Sequence, residues 1–254
     1  YDITSSFELG KFLPQDFKIH VPMFVGYSET FITPQFNPLD PDILLAQQLK
    51  DPNLSQAYRD SLRLQTVDYT KRRSINFINV KKEKGKNSKK HIYDFMNVSN
   101  WSASYSYSEI YKRNINLLYD STRNYKGGLM YSFSPSPKNI KPFGKTKILS
   151  SKYFQLIKDA NFYLFPNKLG FSIDGQRMYN TQEVRNTTAG DMIVVPTFNK
   201  QFNMIRNYDL KYDITKALKL DFIATNDSRI LEPFGAIDTK EKKEARQSRT
   251  MEDG

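Results

Sequence analysis

The chain contains no cysteine, only two histidines and one tryptophan, and no long apolar run. Each shortage removes a class of explanation. Without cysteine there is no disulfide, no thiolate metal site and no thiol nucleophile. His20 and His91 stand far apart, each among strand-like or basic residues, so neither a histidine zinc site nor a Ser-His-Asp triad is expected. No catalytic residue, cofactor or metal is assigned, and the chain is not expected to be an enzyme. No segment approaches the ~20 apolar residues that a membrane-spanning helix requires. A transmembrane β-barrel escapes that exclusion, because only every second residue of its strands has to face lipid.

What the chain does have is aromatic residues and positive charge. Tyr (16) and Phe (18) supply much of a modest 39% hydrophobic fraction, and the formal net charge is +11. Much of that excess sits in "KKEKGKNSKK", residues 81–90, which reads as a solvated loop able to meet phosphate on lipid headgroups or nucleic acid. The basic residues do not interleave with the aromatics as they would on a base-stacking surface, so no nucleic-acid partner is expected. The chain opens "YDITSSFELG", without an initiator Met or an apolar leader, and Tyr1 already stands in an alternating pattern. The expectation is an internal fragment that begins inside or just before a strand.

The clearest local signal is "NWSASYSYSE", residues 100–109. Trp101, Ala103, Tyr105 and Tyr107 share one parity; Ser102, Ser104, Ser106 and Ser108 share the other. Successive side chains of a strand point to opposite faces, so one face is an aromatic stripe and the other a row of hydroxyls. The same habit recurs elsewhere. Ile19, Val21, Met23, Val25 and Tyr27 fall together, with Pro22 marking a bulge or an edge strand. Tyr208, Leu210 and Tyr212 oppose Asn203, Asn207, Asp209 and Lys211, and Leu218, Leu220 and Phe222 alternate in the next segment. If the aromatic face met a protein core, each tyrosine hydroxyl would need a partner there. At a membrane interface the ring lies among acyl chains while the hydroxyl reaches the headgroups. A soluble β-sandwich shows the same alternation and stays open as a reading.

Read along its length, the chain divides into a β-hairpin at 1–33 and an insertion with two short helices at 34–66. The helices are expected to start at Asp40-Pro41 and Asp51-Pro52. Further strands occupy 67–134, around the basic loop 81–90. A linker and a short helix fill 135–160, strands resume over 161–235, and a charged tail or interrupted loop runs over 236–254. This gives about eight strands, several longer than the five or six residues usual in soluble sheets. Very short turns are expected to alternate with long loops, as they do in outer-membrane barrels.

Three segments carry a resemblance: "ELGKFLPQDFKIHVPMFVGYSETFITPQFNPLDPDILL", "LIKDANFYLFPNKLGFSIDGQRMYNTQEVRN" and "LKYDITKALKLDFIATNDSRILEPFG". They resemble segments of the SprA/Sov family, very large outer-membrane proteins of Bacteroidota. That family forms the translocon of the type IX secretion system and is needed for gliding motility. The resemblance implies an all-β fold, an antiparallel transmembrane β-barrel segment supplying about eight strands of a much larger barrel, with short helices in long loops. It implies secreted cargo proteins as partners, other secretion-system proteins at a lateral opening and at a periplasmic plug, and outer-membrane lipid around the wall. The aromatic and aliphatic residues listed above become lipid-facing candidates, and the serine, asparagine, aspartate and lysine rows become lumen-facing candidates. Two other readings remain: a smaller autonomous outer-membrane barrel, and a soluble β-sheet module that binds nucleic acid or glycan.

Overall fold

A computed structural model describes residues 1–83, 92–144, 153, 159–186, 194–233 and 235–236. The elements in chain order are β1 (Asp2–Glu8), β2 (Ile19–His20), β3 (Pro22–Ile32), β4 (Phe36–Asn37), β5 (Asp40–Leu44), α1 (Leu45–Gln48) and α2 (Gln56–Thr66). Then come β6 (Asp68–Lys82), β7 (Trp101–Arg113), β8 (Leu117–Phe133), β9 (Asn139–Ile140), β10 (Phe162–Tyr163), β11 (Lys168–Val184), β12 (Thr197–Asp213) and β13 (Lys219–Ile230). The fold is all-β in its architecture. Eight long strands form one sheet in the order β1-β3-β6-β7-β8-β11-β12-β13, every pair antiparallel, with β2 extending the pairing of β6. The sheet is open, with β1 and β13 as its edges.

The sheet is a single layer. Among the described residues only Leu45, Leu62, Val67 and Phe133 are buried hydrophobics. A compact monomer of 29.7 kDa would expose roughly 11,600 Å², whereas this chain exposes 18889 Å². Three of the four buried residues belong to the small helical insertion at one rim. Ser55 caps α2 by accepting a hydrogen bond from the Tyr58 N–H at 3.2 Å, and Leu62 and Thr66 then point inward from the helix. We call this the helical rim. Residues 33–67, 185–186 and 194–196 and the turn 114–116 lie there; residues 9–21, 83, 92–100, 134–144 and 159–167 and the turn 214–218 lie at the far rim.

Several expectations are corrected here. The two tight turns fall on opposite rims, so short turns and long loops do not alternate. Both turns are closed by side chains: Asn114 Oδ1 accepts from the N–H groups of Asn116 (2.9 Å) and Leu117 (2.8 Å), and Thr215 Oγ1 accepts from the N–H of Leu218 at 2.9 Å. Asp40-Pro41 begins β5, which pairs with β4, and the first helix starts five residues later at Leu45. The acidic cap expected of Asp51 is also displaced: its carboxylate accepts from the Asn53 N–H in a local turn at 2.9 Å, leaving the helix start to Ser55. β3 is an interior strand and Pro22 is its first residue, where a missing N–H is tolerated. The bulge lies instead in the neighbouring β6, between Phe77 and Val80, where Asn79 takes a left-handed conformation (φ 56). β8 is one strand of 17 residues where two shorter ones are expected, because Gly127 and Gly128 continue the ladder. The helix expected within 150–160 and most of the charged tail lie outside the described residues.

The left-handed Asn79 yields a test. Replacing it with Val should destabilise the chain by about 1–2 kcal/mol, the strain of a β-branched residue at positive φ, while Asn79→Gly should be close to neutral. Denaturant unfolding of the protein measures both, and equal effects would mean that the bulge conformation is unimportant.

Candidate functional site

The site offered by a single-layer sheet is its pair of faces, and the register decides which residues share one. Residues directly opposite in a ladder project to the same side. From Tyr105 the ladder runs to Phe77 and Met23 in one direction and to Gly127, Gly175 and Met204 in the other. Extending this to every strand places Met23, Val25, Tyr27, Trp101, Tyr105, Tyr107, Tyr208, Leu210, Tyr212, Leu220 and Phe222 on one face. Ile19 reaches the same face through its pairing with Lys82. Val21 and Leu218 stand outside the strands, in the connection before β3 and in the turn before β13. Phe7, Ile75, Phe77, Tyr125, Leu129, Tyr131, Phe133, Leu169, Phe171, Ile173, Phe202 and Met204 also belong to this aromatic face. Its members are open to their surroundings: Tyr105 is 46% exposed and Phe222 50%. Gly127 beside Tyr105 leaves open space over β8, while the Phe202 ring lies over Gly175 on the next strand.

Ser102, Ser104, Ser106, Ser108, Asn203, Asn207, Asp209 and Lys211 all project to the opposite face. Their polar groups are bonded across strands. Asn207 Nδ2 donates to Ser172 Oγ at 3.1 Å, and Asn207 Oδ1 accepts from Thr225 Oγ at 3.0 Å, linking β11, β12 and β13. Asn180 Nδ2 donates to Asp120 Oδ1 (2.6 Å) and Thr122 Oγ (2.8 Å), Ser106 Oγ donates to Asn76 Oδ1, and Lys168 pairs with Asp209. The Asn79 N–H donates to Ser104 Oγ at 2.9 Å, so the bulge is tied to this same face. A hollow of about 370 Å³ lies where Gly128 leaves room between Ser104, Ser106, Lys126, Asp174 and Asn203. Phe24, Met130, Ile205 and Ile223 interrupt the polarity of this face.

The apolar stripe does not follow the ladder across the sheet. On β1 it is centred on Ser5, between Ile3 and Phe7. The ladder row through Ser5 passes Val25, Ile75, Tyr107, Tyr125, Arg177 and Phe202 and arrives at Ile230 of β13. On β13, however, the stripe is centred on Phe222, about eight residues away, between Leu220 and Ala224. It steps steadily on the way, through Tyr105 on β7 and Phe171 on β11. At ~3.3 Å per residue and ~4.8 Å between strands, the drift is about 27 Å over about 34 Å of sheet. A straight apolar band therefore crosses these strands at about 40° to the strand perpendicular.

Toward the helical rim a charge stands on this face of every strand from β3 to β12: Glu29, Arg73, Glu109, Arg123, Arg177 and Arg206, with Tyr179 beyond Arg177 on β11 and Met204 and Phe202 beyond Arg206 on β12. Glu109 is the centre of this border and is 7% exposed. It pairs with Arg73, accepts from Arg123 Nε at 3.1 Å and accepts from the Tyr107 hydroxyl at 3.1 Å. Glu29 accepts from the hydroxyls of Tyr27 (2.6 Å) and Tyr69 (2.7 Å), and Arg113 stacks on the Tyr69 ring at 4.8 Å. Sequence reading missed this cluster. The parity of Glu109 with Tyr107 was there to be seen, but its two arginines come from strands 36 and 14 residues away in sequence.

The family comparison bears on the β1–β3 end of this sheet. A family model described as motility related/secretion protein, the amino-terminal model of SprA, matches residues 1–49. Over these residues the chain is similar to the SprA family. The match covers β1, β3 and the start of the helical insertion, a similarity to a motility- and secretion-related protein that is compatible with a place in the cell envelope. A search of curated proteins found no match.

The Glu109 cluster can be tested directly. Glu109→Leu would strip two guanidinium groups of their shared carboxylate at the border of an apolar face. The expected loss is about 1–3 kcal/mol, below the ~3–5 kcal/mol of a fully buried pair because both arginines are half-exposed. Denaturant unfolding of the protein checks it, and a double variant with Arg73→Leu should recover part of the loss.

Proposed function

We propose that this chain forms part of the wall of an outer-membrane protein-conducting channel, the type IX secretion translocon, through which folded cargo proteins reach the cell surface in a Gram-negative bacterium. The observation that carries this reading is the diagonal apolar band. Strands of a transmembrane barrel tilt by roughly 35–45°, so a band level with the bilayer must cross the ladder obliquely, and the drift found here corresponds to about 40°. A sheet packed on a protein core has no reason to shear its apolar residues in this way.

The aromatic face then meets lipid and the polar face lines the lumen. A wall of Ser, Asn and paired Lys and Asp presents cargo with groups already hydrogen-bonded to one another, so few are left to hold a passing protein. On β8 the stripe from Tyr125 to Phe133 spans about 27 Å along the strand, about 20 Å along the bilayer normal. The apolar band of such barrels is roughly 25 Å tall, and tyrosine rings at the border make up the difference. The open edges at β1 and β13 suit an arc that pairs with further strands, as a large barrel requires. Partner proteins at a lateral opening and a periplasmic plug, inherited from the family, would supply gating and energy. No residue of this chain is assigned a catalytic role. A soluble β-sheet module leaves the exposed aromatic face without an occupant, and a small closed barrel is at odds with the open sheet.

Single-cysteine scanning tests the faces, since the chain has no cysteine to compete. An environment-sensitive fluorophore at Tyr105→Cys, Leu129→Cys or Leu210→Cys should emit blue-shifted light and be quenched by spin-labelled lipid. At Ser104→Cys, Ser106→Cys or Asn207→Cys it should be quenched by aqueous iodide. Aqueous quenching at all six positions would overturn the membrane reading. Lipid quenching at all six would overturn the lumen assignment.

A further inference from the structure

The two borders of the apolar band differ in kind. Toward the far rim the aromatic face ends in Phe7, Trp101, Phe133, Leu169, Tyr212 and Leu220, with Lys82 as its one cation among the described strand residues. Toward the helical rim it reaches the charged border described above, and three further cations, Lys71, Arg113 and Lys200, stand beyond it on the same face. The carboxylates there are already committed. Glu109 holds both Arg73 and Arg123, Glu29 is taken by two tyrosine hydroxyls, and Glu232 binds Arg177 through two bonds of 2.7 Å. Lys71, Arg113 and Arg206 make no salt bridge within 4 Å among the described residues; Lys71 stands opposite Glu29 in the ladder and lies over the Tyr27 ring at 5.7 Å, and the Nε atoms of Arg113 and Arg206 are buried with no acceptor.

We propose that this border is a binding site for lipid-borne phosphate, in which Lys71, Arg113 and Arg206 grip the headgroups of one leaflet. The inference rests on the membrane reading above, and fixes something that reading leaves open, namely which rim faces the more anionic leaflet. Charge complementarity is the argument. These guanidinium and ammonium groups sit at the depth where acyl chains end and phosphates begin, and tyrosines Tyr27, Tyr69 and Tyr111 flank them as an interfacial belt. Arginine is suited to the task because its planar fork binds two phosphate oxygens at once. The shared Glu109 keeps Arg73 and Arg123 from the same role and holds the border in place. The occupant is lipid and not an ion in solution, because the site opens sideways from an apolar stripe that only acyl chains can cover.

The test uses the full-length protein extracted from its membranes in mild detergent, with chloroform-extractable phosphorus measured per protein after exhaustive washing. The triple variant Lys71→Gln, Arg113→Gln and Arg206→Gln should retain at least about twofold less lipid phosphorus than wild type. A variant that keeps the charge, Lys71→Arg with Arg113→Lys and Arg206→Lys, should retain most of it, which separates binding from misfolding. Arg72→Gln, Lys126→Gln and Arg229→Gln, on the polar face, should retain it all. An unchanged triple variant, or an equal loss in the polar-face control, would overturn the proposal, as would phosphorus that leaves in the aqueous wash as free phosphate. A protein that is monodisperse without detergent and carries no lipid would overturn the membrane reading itself.

Discussion

Everything in this structure depends on the antiparallel ladder, because the molecule has almost nothing else. A soluble domain of this size draws its stability from a buried core, and here four buried hydrophobic side chains, three of them in or beside the helical insertion, are all the described residues provide. What holds the strands together is the pairing of their backbone groups, repeated through seven long interfaces. In water such a layer would be unstable, since its aromatic face is unprotected and its edges invite further pairing. In hydrocarbon the balance reverses. Backbone groups have no water to bond, so the ladder becomes obligatory, and an apolar face without a protein partner is already covered.

The ladder also explains why the sequence is so legible in some respects. The two-residue period of a strand is independent of what the strand packs against, so the separation of Trp101, Tyr105 and Tyr107 from Ser102 to Ser108 can be read directly from "NWSASYSYSE" and survives in the structure. The same holds for Tyr208, Leu210 and Tyr212 against Asn203, Asn207, Asp209 and Lys211. Eight long strands follow from counting such segments, and the family resemblance is supported over residues 1–49. Which face meets lipid is a different kind of statement, and rests on the direction of the band as a whole.

What was not legible depended on registers and rims. Parity does not reveal how far one strand is shifted against its neighbour, so neither the diagonal of the stripe nor the convergence of Arg73 and Arg123 on Glu109 can be read from any one segment. The misplaced helix start has a local cause. Asp-Pro is compatible with a helix start and with the extended residue that precedes any proline, and at Asp40 the short pairing of β5 with β4 prevailed. The bulge was sought at Pro22 because proline lacks a donor, yet a proline at the first position of a strand loses nothing. The real irregularity needed a residue at ease at positive φ, and Asn79 was hidden among ordinary strand formers.

The charged border and the apolar stripe are two consequences of one geometric fact. A strand tilted against the bilayer exposes a different stretch of its residues to lipid from that exposed by its neighbour, so the position at which charge becomes tolerable must shift from strand to strand. Glu29 on β3 and Arg206 on β12 lie several ladder rows apart, yet each is the first charge on its own strand's aromatic face on the way to the helical rim. The shift is stepwise: Arg73, Glu109 and Arg123 share one ladder row, Glu29 lies on the helical-rim side of it, and Arg177 and Arg206 lie progressively further on the other side. Under the proposed membrane reading, that overall drift is what a flat external boundary would impose on a sheared wall, and it would tie the register of the strands to the plane of the bilayer.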